Sequence, residues 1–107
     1  MWLCGSDYFL SIVDDKEVDG CLVVRARRKG DIQKLFPDAK VKTLRGRDYQ
    51  FRAHVKRELI ADAVAAQVMS ISYGNFKDSV ANDELHHAYS KFWHIHADLQ
   101  PKKPYRM

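Results

Sequence analysis

The sequence contains only two cysteines, three prolines and no long apolar run. Its longest uninterrupted apolar runs have four residues, as at Cys21–Val24 and Ala63–Ala66, whereas a membrane-spanning helix needs roughly 20. No basic stretch followed by an apolar segment opens the chain, so no secretory signal is predicted. With Cys4 and Cys21 expected to stay reduced, these absences predict a cytoplasmic protein with no membrane partner.

The length and composition fit one ordinary globular domain. The chain has 107 residues, of which 46% are apolar and 30% are charged. These proportions exclude a disordered chain and a collagen-like fibre. We predict a single domain over residues 1–107, in which residues 100–107 form a flexible tail.

The motifs of common enzyme classes are also absent. There is no Walker A motif, no Gly-x-Ser-x-Gly elbow and no dinucleotide fingerprint in the sequence. Neither cysteine has a histidine at a spacing typical of a nucleophile and its base. We therefore predict no catalytic residue and no cofactor. The alternative is a small metal-independent hydrolase or nuclease that uses Tyr49, Arg52 and His54, or the histidine-bearing helix near the C-terminus.

Two segments imitate metal sites without completing them. Within eleven residues near the C-terminus lie four histidines, His86, His87, His94 and His96. They lack the i, i+4 pair with an intervening Glu that a zinc hydrolase helix uses. The acidic turn Asp15–Gly20 resembles the start of a calcium loop, but the twelfth position of that loop would be Ala26 instead of Glu. We predict no metal ligands.

Positive charge is concentrated in the middle of the chain. Residues 22–57 carry a net charge of +9, while residues 1–21 carry −4 and residues 58–107 carry −1. A regional charge of this kind is expected of a surface that meets an anionic partner.

Hydrophobic periodicity predicts an α+β fold. Period-two alternation predicts four strands, at Asp7–Asp14, Cys21–Arg28, Ala39–Leu44 and Asp48–Val55. Helices are predicted at Lys29–Phe36 with Asp31 as a candidate cap, at Lys56–Ile71, as a turn at Lys77–Ala81, and at Asn82–Leu99 with Asn82 as the N-cap. The second helix carries an apolar stripe expected to face the sheet, formed by Leu59, Ile60, Ala63, Val64, Gln67, Val68 and Ile71.

This ββαββαα order predicts a two-layer sandwich, with a four-stranded, mainly antiparallel sheet and helices on one face. The polar sides of the strands would then form an open basic face, which is the candidate binding site. Its predicted binding residues are Arg25, Arg27, Lys40, Lys42, Arg45, Arg47 and Arg52. Because Tyr49 and Phe51 alternate in phase with Ala53, we expect these aromatic rings on the core face, with no stacking platform beside the charge.

Several short signatures combine apolar and polar residues without a regular period. They are the opening Met1-Trp2-Leu3, the strand Leu22–Arg27, Asp48-Tyr49-x-Phe51-Arg52, Tyr73-x-Asn75-Phe76-Lys77-x-x-Val80, and Ala88-Tyr89-x-x-Phe92-Trp93. In this order they resemble a family of small, functionally uncharacterised bacterial and phage-borne proteins. The resemblance covers most of the chain. It implies a stand-alone cytoplasmic protein, and it transfers no catalytic residue and no cofactor.

The predicted function is a non-catalytic binding module whose basic sheet surface meets an acidic protein or a nucleic acid. In the phage setting that the resemblance implies, such a module would inhibit a host system. A homo-oligomeric structural subunit is a further alternative, because the open face of a small sandwich is often covered by a second copy. A homodimer is therefore also a candidate partner arrangement.

Overall fold

The computed structural model describes residues 1–101, and residues 102–107 of the predicted tail lie outside the described residues. The elements are β1 (Trp2–Cys4), β2 (Phe9–Asp14), β3 (Cys21–Ala26), α1 (Asp31–Leu35), β4 (Lys42–Thr43), β5 (Phe51–Lys56), α2 (Arg57–Met69), a 3-10 helix (Lys77–Ser79) and α3 (Asp83–Ala97). The chain forms two compact units, Met1–Ser72 and a second unit that begins at Tyr73. Within residues 1–101, no helix is both long enough and apolar enough to cross a membrane.

The first unit is built on an antiparallel sheet of five strands in the order β1-β2-β3-β5-β4. The predicted α+β class with an antiparallel sheet is confirmed, but the predicted count of four strands is wrong. The missed strand is β1, whose three residues are too few to show alternation. Hydrogen bonds at the chain start extend its pairing, since the Met1 amine donates to the Ile12 carbonyl at 2.7 Å and the Ile12 amide donates to the Met1 carbonyl at 2.8 Å.

One face of the sheet carries the core. Alternate residues of the three central strands are buried there, namely Leu10, Ile12, Val24, Ala26, Ala53 and Val55. Ile32 of α1 and Ile60 of α2 belong to the same cluster, so both helices contact this face. Leu10, Val24 and Ala26 are fully inaccessible to solvent, as expected for strands that alternate between a core face and an open face.

The second helix buries much less of its apolar stripe than the periodicity predicts. Only Ile60 is buried, while Leu59 and Val68 remain 55% and 59% exposed. Near the C-terminal end of α2, the side-chain amide oxygen of Gln67 accepts a hydrogen bond from the Tyr8 hydroxyl at 3.2 Å. The prediction is confirmed for Ile60, Ala63 and Val64, which pack on the core. It is wrong for Leu59, Val68 and Ile71, which are more than half exposed.

Two local predictions near α1 also need correction. The N-cap of α1 is Gly30, at φ 94°, a left-handed conformation that costs glycine little. Asp31 is the first helical residue instead, and its carboxylate accepts from the Phe9 amide at 3.1 Å. The strand predicted at Ala39–Leu44 is reduced to β4, because Lys42 and Thr43 are the residues of this segment that pair with β5. Ala39 and Val41 still pack against the core.

The second unit contains the 3-10 helix and α3. The predicted cap is confirmed, since the Asn82 side chain accepts from the Leu85 amide at 2.9 Å. Before the 3-10 helix, Asn75 accepts from the Lys77 amide at 3.0 Å and fixes the turn. A ladder of aromatic rings connects these segments, with neighbouring centroids 5.2–5.9 Å apart from Tyr73 through Phe76 and Tyr89 to Phe92.

Candidate functional site: the basic face of the sheet

The face of the sheet opposite the core carries a row of cations. Strand register places Arg25 between Ser11 of β2 and Arg52 of β5. Lys42 of β4 lies next to Arg52 in the same row. Arg27 follows β3 by one residue and lies on the same side. We call this surface the basic face, and define it by Arg25, Arg27, Lys42 and Arg52.

Tyr49 lies on the basic face, which corrects the prediction that its ring joins the core face. Its ring packs against two guanidinium groups, with the Cζ atoms of Arg25 and Arg27 at 4.6 Å and 3.9 Å from the ring centroid. β5 begins only at Phe51, so strand alternation does not extend to Tyr49. The left-handed backbone of Tyr49, at φ 52°, breaks the strand pattern at this residue. Phe51 itself packs against the core, as predicted.

The loop between β4 and β5 is bound to the basic face by arginine side chains. Arg27 pairs with Asp48 at 2.5 Å, and Arg52 donates to the main-chain carbonyls of Asp48 at 2.8 Å and Tyr49 at 3.2 Å. The hydrogen bond from Arg27 is the main reason that the pKa of Asp48 lies below its ordinary value. The Asp48 carboxylate pairs with Arg27 alone among residues 1–101, while Arg25 and Arg52 keep their charges, so the cluster stays positively charged.

Arg25 is partly enclosed by the surrounding protein, as is Arg52. It is half-buried, and its Nη2 donates to the Ser11 hydroxyl at 2.6 Å. Its Nε is buried and has no hydrogen-bond partner among residues 1–101. Arg25 therefore has two roles: it packs against the Tyr49 ring and it contributes charge to the surface.

The other predicted cations are distributed around this cluster. Lys42 is exposed beside Arg52. Arg45 and Arg47 are exposed in the loop that Arg27 and Arg52 hold. Lys40 precedes β4 and lines a groove at the edge of the sheet. The structure thus brings Arg25, Arg27, Arg52 and Lys42 together, while Lys40 lies in the groove that Lys42 also lines.

Two aromatic residues that the sequence reasoning missed share the basic face. Register places Trp2 opposite Ser11, and Phe9 lies two residues before Ser11 on β2. The rings of Trp2 and Phe9 meet edge to face, with centroids 5.7 Å apart. Trp2 is 66% exposed. The opening Met1-Trp2-Leu3 is among the short sequence signatures, but no strand is predicted there from the sequence. Trp2 could therefore not be assigned to a face of the sheet.

At the other end of β5, His54 contacts the hairpin between β2 and β3. His54 Nδ1 lies 2.5 Å from the Asp15 carboxylate, whose side chain is fully buried, and Nε2 lies 3.7 Å from Glu17. Burial raises the pKa of Asp15. The hydrogen bonds from His54 and from the amides of Val18 and Glu17 outweigh that effect, so the pKa is lowered overall.

This arrangement predicts an acid-sensitive contact. Because folding lowers the pKa of Asp15, its contribution to stability is complete above the ordinary value of 3.8 and is lost as the pH falls through the folded value. We expect the free energy of unfolding to fall more steeply below pH 3.8 in the wild type than in Asp15→Asn. Urea unfolding across an acidic pH series measures this.

The control for that series is Asp19→Asn, because Asp19 belongs to the same hairpin and forms no ion pair among residues 1–101. Its pH dependence should match that of the wild type. Parallel curves for the wild type and Asp15→Asn would show that the His54 contact does not stabilise the fold.

The basic face brings cations and aromatic rings together on one side of the sheet. Within residues 1–101, no group of three His, Cys, Asp or Glu side chains is placed to hold a metal ion. His54 and Arg52, which the hydrolase alternative combines with Tyr49, are engaged with Asp15 and with main-chain carbonyls. Comparison with family models, curated proteins and solved structures found no match for this chain.

Proposed function

We propose that this protein is a non-catalytic binding module whose basic face holds single-stranded nucleic acid. The observation that carries the proposal is the exposed Trp2 ring, which shares one sheet face with the cations around Tyr49. Cations that neutralise phosphates release counterions, and exposed aromatic rings stack on bases. An acidic protein would use the same charges but would not need the aromatic pair.

The cations that are free to meet phosphates lie at the margin of the arginine cluster. Lys42, Arg45 and Arg47 are exposed and form no ion pair among residues 1–101. Arg27 remains 57% exposed although it pairs with Asp48. Arg25 and Arg52 are more enclosed and hold Tyr49 and the loop, so they shape the surface on which a strand would lie.

The first test measures the affinity of Trp2→Ala for a labelled thymidine oligonucleotide of about 12 nucleotides by fluorescence anisotropy. Loss of one stacking contact, worth roughly 1–3 kcal/mol, should weaken binding about 5- to 150-fold. Met69→Ala is the matched control, because Met69 is an 85% exposed apolar residue on α2 and away from the basic face. It should bind as the wild type does.

A salt titration tests the phosphate contacts in the same assay. Replacing Lys42, Arg45 and Arg47 together by glutamine should reduce the slope of log affinity against log salt by about 2, at roughly 0.7 per phosphate contact. Wild-type protein that binds no oligonucleotide at low salt would reject the proposal. Saturable binding of poly-glutamate without binding of oligonucleotide would assign the basic face to an acidic protein instead.

A further inference from the structure

The edge of the sheet beside β5 is only partly covered. β4 pairs with Phe51 and Arg52 alone. Over residues 1–101, no strand lies beside Ala53–Lys56 on that side, although β3 pairs with the other side of β5 throughout. An uncovered stretch of strand offers unpaired main-chain groups to an added strand.

A groove of about 680 Å³ runs along this uncovered stretch. Its walls are apolar and come from α1 with the segment after it and from α2, including Leu35, Phe36, Ala39, Leu59 and Ala63. The volume lies within the roughly 300–1,000 Å³ that is typical of ligand sites. Leu59 lines the groove and is 55% exposed, so an apolar surface is available to an occupant.

The charges along the groove are positive. Lys40, Lys42 and Lys56 line it, and none of them forms an ion pair within residues 1–101. Among the described lining residues, Asp38 is the one carboxylate. Unpaired cations beside an apolar floor fit an occupant that carries both acidic and apolar groups.

The spacing of the cations favours an extended peptide over a small anion. Lys42 lies opposite Arg52, and Lys56 follows Arg52 by four residues on β5. At about 3.3 Å per residue, the two lysines are separated by about 13 Å along the strand direction. One carboxylate cannot reach both, whereas acidic residues four positions apart in an extended peptide have the same spacing.

We propose that this groove binds an extended acidic peptide, in which Asp or Glu alternates with aliphatic residues, by adding it as a strand to the β5 edge. Main-chain hydrogen bonds to Ala53–Lys56 supply affinity, and alternate side chains select the sequence. Aliphatic side chains enter the groove beside Leu59, and acidic side chains meet Lys42 and Lys56. This site shares Lys42 with the basic face, but its occupation by a peptide does not depend on nucleic-acid binding.

The test uses a labelled, end-capped peptide of alternating glutamate and valine, with a matched peptide that carries lysine in place of glutamate. We expect saturable binding of the glutamate peptide alone. Leu59→Asp should weaken it about 5-fold or more, as expected for an interface residue that contributes to binding. Met69→Asp adds the same charge at an exposed position of the same helix and should bind as the wild type does.

Hydrogen exchange locates the peptide. Amides within Ala53–Lys56 should exchange more slowly when the glutamate peptide is bound. Equal binding of the two peptides, or an unchanged affinity in Leu59→Asp, would overturn the proposal. Displacement of the peptide by the thymidine oligonucleotide, with Trp2→Ala weakening both ligands, would place both on the basic face and would also overturn it. Failure of oligonucleotide binding alone would leave the peptide result standing.

Discussion

Replacing Tyr49 by alanine is expected to lower the free energy of unfolding by about 3–5 kcal/mol, the usual cost of truncating a buried aromatic residue. The ring is 5% exposed and packs against the guanidinium groups of Arg25 and Arg27. Its removal opens a cavity beneath two cations and also removes two cation–π contacts. Urea unfolding followed by tryptophan fluorescence measures the change.

Tyr49→Phe is the control, because it keeps the ring and its cation–π contacts with both arginines. We expect its stability to stay within about 1 kcal/mol of the wild type, since it opens no cavity. If the proposed function is correct, Tyr49→Ala also weakens oligonucleotide binding under conditions in which it is still folded. A Tyr49→Ala protein as stable as Tyr49→Phe would show that the ring does not organise the basic face.

Replacing Asp31 by alanine is the second large expected effect. The Asp31 side chain is 4% exposed, and its oxygens accept from Arg28 at 2.9 Å and 3.2 Å. It also accepts from the Phe9 amide at 3.1 Å, which connects α1 to β2 across 22 residues of sequence. Breaking a buried ion pair costs about 3–5 kcal/mol. Because the Arg28 side chain is 26% exposed, we expect about 3 kcal/mol.

Asp31→Asn separates the charge from the hydrogen bonds. The amide oxygen can still accept from Phe9, so we expect a loss smaller than that of Asp31→Ala. Lys34→Ala is a second control. Among residues 1–101, the one ion pair of Lys34 is an exposed pair with Asp7 at 3.7 Å, so its loss should change stability by less than about 1 kcal/mol. Equal stability of Asp31→Ala and Lys34→Ala would contradict the prediction.

The elements that the sequence predicted well are those with long periodic patterns. β2, β3 and β5 each have six residues, and α2 and α3 have 13 and 15. Over such lengths, the spacing of apolar residues distinguishes a strand from a helix. The N-cap at Asn82 was predictable for a different reason, because its side chain bonds an amide three residues away.

The errors concern positions where contacts distant in sequence override the local pattern. β1 has only three residues, and it forms a strand because it pairs with β2. Tyr49 continues the alternation of β5 in sequence, yet its left-handed backbone and two arginines from another part of the chain place its ring on the basic face. Leu59 and Val68 follow the helical spacing of a buried face, yet both side chains are more than half exposed to solvent.

The sequence by itself determined that the fold is α+β with an antiparallel sheet, and that positive charge is concentrated in residues 22–57. Both follow from the order and type of residues along the chain. Only the tertiary structure decided which cations meet, that Trp2 and Phe9 share their face, and that the edge of β5 opens onto a groove. Strand register and the ends of strands fix those arrangements, and both depend on pairing between segments far apart in sequence.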